Sequence, residues 1–213
     1  MIGVLFGNKH TFDDWNLVLT EKTIGLPSPK TFSVDVEGAD GVLDTSDILT
    51  GEIKFKNRTL EFSFTMLDKY EDFQDKITEI ANYLHGQKLR IILDEDDTHY
   101  YVGRCSIDQW ASDKRIGRIV VKCDCEPYKY DLIETVVSVS VIGEKLVTIR
   151  GKRRTINPVV KCSDSMTMTV DGHSVILKTG ENLIIDFFIR EGENVIKFTG
   201  NGNVTISFTG GEL

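Results

Sequence analysis

Leu60-Glu61-Phe62-Ser63-Phe64-Thr65-Met66 is the stretch that decides the fold class. Its apolar side chains recur at every second position, which places them on one face of a half-buried strand. Ile119, Val121, Cys123 and Cys125 repeat that period further along, so the chain reads as mainly β. Between them lies one helical pattern. Phe73, Ile77, Ile80, Ala81 and Leu84 form an apolar stripe at helical spacing and predict a helix over 69–85. Asp68 with Glu71 reads as a capping-box variant at its start, and Gly86 after His85 as a left-handed stop.

Near Pro127 and Tyr130 the pattern changes, and short Val- and Ile-rich segments take over. This predicts two domains, 1–130 and 131–213. The second should contain strands at 136–142, 146–150, 159–162, 166–171, 175–178, 183–189, 195–199 and 204–208, a spacing that suggests a sandwich. Gly200-Asn201-Gly202-Asn203 is expected to form a tight hairpin turn between the last two strands, as is Asp171-Gly172 earlier, because Asn-Gly and Asp-Gly accept positive φ.

The 213 residues are 40% hydrophobic, enough to bury a core in each domain. The net charge of -8 and pI near 5.1 argue against nucleic acid or an anionic membrane as the main partner. Residues 131–213 hold 9 Lys and Arg against 10 Asp and Glu, which leaves 16 against 23 for residues 1–130. The first domain therefore carries nearly all the excess. No apolar stretch approaches a membrane span, and residues 1–10 lack the basic start and apolar run of a signal peptide, so cytoplasmic synthesis is expected.

Cys105, Cys123, Cys125 and Cys162 lie in apolar or alternating stretches and are expected to be reduced thiols. Cys123 and Cys125 are too close for the usual zinc spacing and read as same-face strand residues. Asp94-Glu95-Asp96-Asp97 offers oxygen ligands for calcium, but it lies where a hairpin turn belongs and lacks the glycine of an EF-hand loop; a solvated turn is the reading preferred. No nucleophile elbow, zinc-protease helix motif, phosphate-binding loop or Cys-x-x-Cys occurs. Paired carboxylates of a glycosidase could still be assembled by folding, though no pair stands out. His85 reads as a helix C-terminal residue facing the dipole and His173 as a turn residue, with His10 and His99 on other elements. No catalytic residue, cofactor or metal is expected.

Arg150-Gly151-Lys152-Arg153-Arg154 is the single basic cluster. It reads as a solvated turn or, more sharply, as a docking segment (Arg150, Lys152, Arg153 and Arg154) for an acidic face such as that of the first domain. Sugar binding by stacking is disfavoured in the second domain: residues 131–213 have no Trp or Tyr, and Phe187, Phe188, Phe198 and Phe208 sit in apolar strands. Trp15 and Trp110 read as packing or interface residues.

The order of several motifs resembles one family. Gly7-Asn8-Lys9-His10-Thr11 leading to Asp14-Trp15-Asn16-Leu17 is similar to the opening of distal tail proteins from phages and prophages of Gram-positive bacteria. Pro27-Ser28-Pro29-Lys30 and then Val34-Asp35-Val36-Glu37-Gly38-Ala39-Asp40-Gly41-Val42-Leu43-Asp44 resemble the family's most specific stretch. Lys56-Asn57-Arg58, Leu84-His85-Gly86, Tyr101-Val102-Gly103-Arg104 and Cys125-Glu126-Pro127-Tyr128-Lys129 follow in the family's order. Gly192-Glu193-Asn194 and Phe198-Thr199-Gly200-Asn201-Gly202 look like its ending. Asn16 departs from the Gly expected there, and Asn tolerates the left-handed geometry.

The resemblance implies a non-enzymatic virion component. Its first domain would be a β split barrel or sandwich with one helix, closing into a hexameric ring around the tail channel; its second would be a galectin-like β-sandwich. The ring would join tail tube to tip hub and anchor receptor-binding proteins, at the virion tail tip, without membrane insertion or sequence-specific nucleic-acid binding. An acidic ring lumen would repel passing DNA. Ring contacts are expected at Gly38, Asp40, Gly41, Asp44, Lys56, Asn57 and Arg58. The alternative reading is a stand-alone carbohydrate-binding β-sandwich.

Overall fold

The computed structural model describes residues 2–66, 72–113 and 116–213. Their contacts divide the chain into two compact units, residues up to Lys129 and Tyr130 to Glu212. The described residues are mainly β with a single helix. The first unit contains β1 (Val4–Phe6), β2 (Lys9–His10), β3 (Leu17–Ile24), β4 (Ser33–Asp35), β5 (Val42–Asp44), β6 (Arg58–Met66), α1 (Phe73–Leu84), β7 (Lys88–Leu93), β8 (Asp96–Ser112) and β9 (Gly117–Cys125), after which β10 (Lys129–Asp131) leads into the second unit. An antiparallel sheet runs in the order β2-β1-β7-β8-β9-β6-β3, and β4 and β5 form a separate hairpin.

The alternation in β6 does what its period dictates. Leu60, Phe62, Phe64 and Met66 are buried, and Phe62 and Phe64 stand opposite Val121 and Ile119 of β9. Helix α1 lays Phe73, Ile77, Ile80 and Leu84 on this core, a burial contributing on the order of 6–12 kcal/mol as an upper estimate. Phe73 meets the Trp110 ring edge-on at 6.2 Å between centroids. The close fit requires Gly117, where a Cβ would lie 3.2–3.3 Å from Trp110, Met66 and Phe73. Trp15 is buried, with its indole N–H donating to Glu79 Oε1 at 3.2 Å and its ring edge-on to Tyr83. The neighbouring Asn16 takes φ 55, the left-handed geometry expected of it.

At the helix end the His85 amide still donates to Ala81 O, and Gly86 at φ 81 turns the chain so that its N–H reaches Cys105 O. The expected capping box at Asp68 and Glu71 lies outside the described residues. Asp72 stands at the N-cap without a side-chain capping bond. His85 departs from the dipole role. Its Nδ1 accepts the Ile107 N–H at 3.1 Å, where a bulge in β8 frees that donor from the ladder.

The cysteines are free and buried. Cys123 Sγ lies 3.3 Å from Cys105 Sγ, and this contact, together with burial, pushes the Cys123 thiol far up. Burial pushes Cys125 up to about 12.

The second unit contains β11 (Thr135–Gly151), β12 (Val159–Cys162), β13 (Met166–Val170), β14 (His173–Leu177), β15 (Gly180–Leu183), β16 (Gly192–Phe208) and β17 (Gly211–Glu212), the last pairing with β10. β16 is the axis. It pairs along its whole length with β11, while its other edge takes β13 at Lys197–Thr199 and β12 at Val204–Ser207. Ile196, Phe198, Val204, Ile206 and Phe208 share one parity and one core, so both halves of this strand serve the same core.

Three expectations are corrected here. Gly200-Asn201-Gly202-Asn203 is not a hairpin turn: β16 runs through it, and the segments predicted as separate strands on either side are one strand, as are the two halves of β11. Gly200 (φ 145) and Gly202 (φ 135) bend the strand without reversing it. They fall on the inner face, where a Cβ would come within 2.7 Å of Met166 Cβ and 2.6 Å of Ser163 Oγ. The predicted strand at 183–189 is instead irregular beyond Leu183, because the Asn157 side-chain amide donates to Ile184 O, Ile185 O and Phe187 O at 2.9–3.1 Å and gathers those carbonyls around itself. Asp171-Gly172 does turn, at φ 50 and 80, with Val170 opposite His173; His173 thus begins β14.

Candidate assembly surface

Between β3 and β6 the first unit extends an arm. Its base is tied by backbone bonds from Gly25 N to Thr59 O, Lys30 N to Lys54 O and Lys56 N to Ser28 O, at 2.7–2.9 Å. The Phe55 ring, in the Pro29–Phe55 bridge, sits edge-on to Tyr128. Further out, β4 and β5 pair with Val34 opposite Leu43. Gly38 (φ 85) and Gly41 (φ 77) supply the left-handed positions of the connecting turn, with open space around each.

The resemblance-derived residues fall into distinct roles on this arm. Gly38, Asp40 and Gly41 form the exposed tip. Asp44 accepts the Ser46 N–H at 2.9 Å and the Ser46 hydroxyl, which together hold its carboxyl below the usual range and brace the elbow. Lys56 is exposed at the base, and Asn57 donates to Asp124 Oδ2 at 3.0 Å. Arg58 is placed differently from the others. It is only 3% exposed, donates to Gly25 O at 2.8 Å and Pro127 O at 3.3 Å, and lies 5.3 Å from the Tyr101 ring centroid. A cation so enclosed holds the arm's root.

Sequence reading missed the arm's apolar surface. Phe32, Val42, Leu43, Ile48 and Leu49 are exposed, Leu49 by 96%. Single exposed apolar residues are ordinary, but several on one segment make it a candidate contact surface. The readable signal was a long stretch without helical or strand period between two strands, a length that compact domains keep for function.

The acidic stretch 94–97 covers the two-residue turn Asp94–Glu95 and the first two residues of β8, and three of its carboxylates are directed to separate partners. Asp94 accepts the Gly3 N–H at 2.7 Å and faces His10, Glu95 pairs with Lys22, and Asp96 takes His99, Lys129 and Thr98 at 2.6–3.0 Å. Burial raises the Asp96 carboxyl, but these hydrogen bonds outweigh it and hold it at about 2. Among the described residues no group of three or more His, Cys, Asp or Glu is placed to hold a metal ion.

In the second unit the basic segment works locally. Lys152 bridges Asp131 (2.6 Å) and Glu212 (3.0 Å), Arg153 pairs with Glu191 at 2.7 Å, and Arg154 lies over the Tyr130 ring and donates to Thr209 O. Arg150 is exposed opposite Glu193. An open cavity of about 610 Å³ lies between the β13–β14 hairpin and residues 184–190, lined by Asp171, His173, Asp186, Phe188 and Arg190. Phe187, Phe198 and Phe208 are core as expected, whereas Phe188 is 39% exposed on this cavity because the Asn157-centred loop turns it outward.

No family model and no curated protein matches the sequence. A solved structure does match: SPP1 Dit (gp 19.1), described as a paradigm of the hub adsorption apparatus in phages infecting Gram-positive bacteria, is similar over 98% of this chain and 99% of its own, at 15% identity and a TM-score of 0.74. The chain has the fold of that phage tail hub protein.

Proposed function

We propose that the protein is a distal tail protein, a structural hub subunit that closes into a hexameric ring, joins tail tube to tip and anchors receptor-binding components at the virion tail tip. The observation that carries this is the fold match over nearly the whole of both chains. The exposed apolar arm supports it, since ring closure needs a protruding patch on one side of a subunit to meet a different patch on the next. The role is scaffolding, with no catalytic step. Among the described residues no helix is long and apolar enough to cross a membrane. In this reading the acidic first unit faces the channel, and the segment Arg150–Arg154 docks on an acidic neighbour through its exposed members Arg150 and Arg153.

The test is mass by light scattering coupled to size exclusion. A species of about six times the 24.0 kDa chain, or of twice that where two rings associate, lost in Phe32→Asp/Leu49→Asp, supports closed cyclic assembly through the arm. A chain that remains monomeric both alone and with its tail-tube and hub partners refutes it. The second reading, a carbohydrate-binding module, draws on Phe188 beside Asp171, Asp186 and Arg190 at the open cavity; glycan binding by the monomer, lost in Phe188→Ala, would favour it.

A further inference from the structure

Among the described residues β11 has one strand neighbour, β16. Among the described residues no backbone group bonds to its other edge, so alternate N–H and C=O groups face outward along that strand. Folded proteins usually blunt such an edge with charge, proline or a bulge. The half beyond Gly143 follows that rule with Glu144, Lys145 and Arg150. The half before it does not. Thr135-Val136-Val137-Ser138-Val139-Ser140-Val141-Ile142 contains no charge, proline or glycine, and its register against β16 is unbroken.

An edge of this kind selects its ligand by backbone geometry: only an extended peptide strand satisfies alternating donors and acceptors at strand spacing. The sequence also indicates which strand. It is nearly palindromic about Val139, and an antiparallel copy centred there sets Val137 against Val141, Ser138 against Ser140 and Val136 against Ile142. Val137, Val139 and Val141 all face the core, whereas Val136, Ser138, Ser140 and Ile142 face solvent. This register therefore keeps inner face on inner face and outer on outer, and a slip by one residue would break that match. Val136 and Ile142, 57% and 84% exposed, would cover each other. Glu134 meeting Glu144 of the other copy, just past the kink at Gly143 (φ 71), ends the ladder.

We propose that the Thr135–Ile142 edge pairs antiparallel with the same edge of a second copy, centred on Val139, in a two-fold contact. Such a contact is self-complementary and independent of the ring, whose interfaces join unlike patches. It would link two rings, or two free chains where no ring forms.

The test uses the full chain. Ser138→Lys/Ser140→Lys sets Lys against Lys at two positions, and the mass by light scattering should fall to half that of the unsubstituted protein at equal concentration, with the circular-dichroism melt retained. Val139 is the one position that meets itself, at a Cα spacing suited to a disulfide. Val139→Cys treated with diamide should give disulfide-linked chain pairs on a non-reducing gel, and Ile142→Cys, which faces Val136, should not. An unsubstituted chain that is monomeric throughout, a mass unchanged in the lysine variant, or equal linking at 139 and 142 would overturn the proposal.

Discussion

Arg58→Met tests the reading that Arg58 roots the arm. The substitution keeps the aliphatic length and removes the guanidinium. It deletes two hydrogen bonds, to Gly25 O and Pro127 O, and a cation–π contact with Tyr101. Hydrogen bonds from a charged donor contribute about 1.5–3 kcal/mol each. The relief of desolvating a cation that is 3% exposed offsets part of this, leaving a net loss of about 3 kcal/mol. In a chain of this size that corresponds to a Tm lower by roughly 6–12 °C. Differential scanning calorimetry reads the loss, and limited trypsin digestion should cut at Lys30, Lys54 or Lys56 sooner as the root loosens. Arg58→Lys should recover less than half, because one ammonium cannot span both carbonyls with the guanidinium's planar fork. A Tm within 2 °C of the unsubstituted protein, or full recovery by lysine, refutes the reasoning.

Gly202→Ala forces φ 135 on a residue with a side chain and drives its Cβ to 2.6 Å from Ser163 Oγ; urea denaturation should show a loss of about 2–5 kcal/mol, against under 1 for Gly172→Asn, whose turn position is open. Asp96, held at about 2 in the fold, contributes stability that is fully present above its ordinary pKa of about 3.9 and lost as pH falls through about 2; thermal melts of Asp96→Asn across pH 2–5 should lack the part of the acid slope seen in the unsubstituted protein. Cys123 and Cys125, buried with raised thiols, should resist Ellman's reagent in the native state and react once guanidinium unfolds the chain.

Period-2 and period-3.6 signals made the first unit's frame legible, since β6, β9 and α1 each bury one face and nothing else competes for those side chains. The second unit was legible in its strands and not in their joints. Gly200-Asn201-Gly202 has turn composition, but a pair on each side, from Ile142–Asn201 to Ile149–Asn194 and from Thr135–Phe208 to Ser140–Asn203, holds the ladder through it; long-range pairing overrode a local preference. Asn157 likewise acts across nearly thirty residues of sequence on the 184–187 carbonyls, and periodicity has no access to such a bond. The candidate surface was half legible. The turn motif Gly38 to Asp44 marked the arm, whereas the burial of Arg58 and the exposure of Phe32 and Leu49 depend on which neighbours the fold supplies.

The β11–β16 ribbon also sets the order in which the second unit can form. Every residue of β11 finds its partner in β16, so the Val- and Ile-rich strand stays single while β12 to β15 are being synthesised. Early pieces can zip up as the β13–β14 hairpin and the β12–β15 pair, but both pieces dock on β16 and must wait for it to join. Folding of this unit is therefore late and all-at-once, dominated by closing its longest loop, the slow regime for β topologies. Until β16 arrives, the uncharged run Thr135–Ile142 is open on both edges, which makes the nascent chain a natural client for holding chaperones and ties its yield to how quickly that last long strand is delivered.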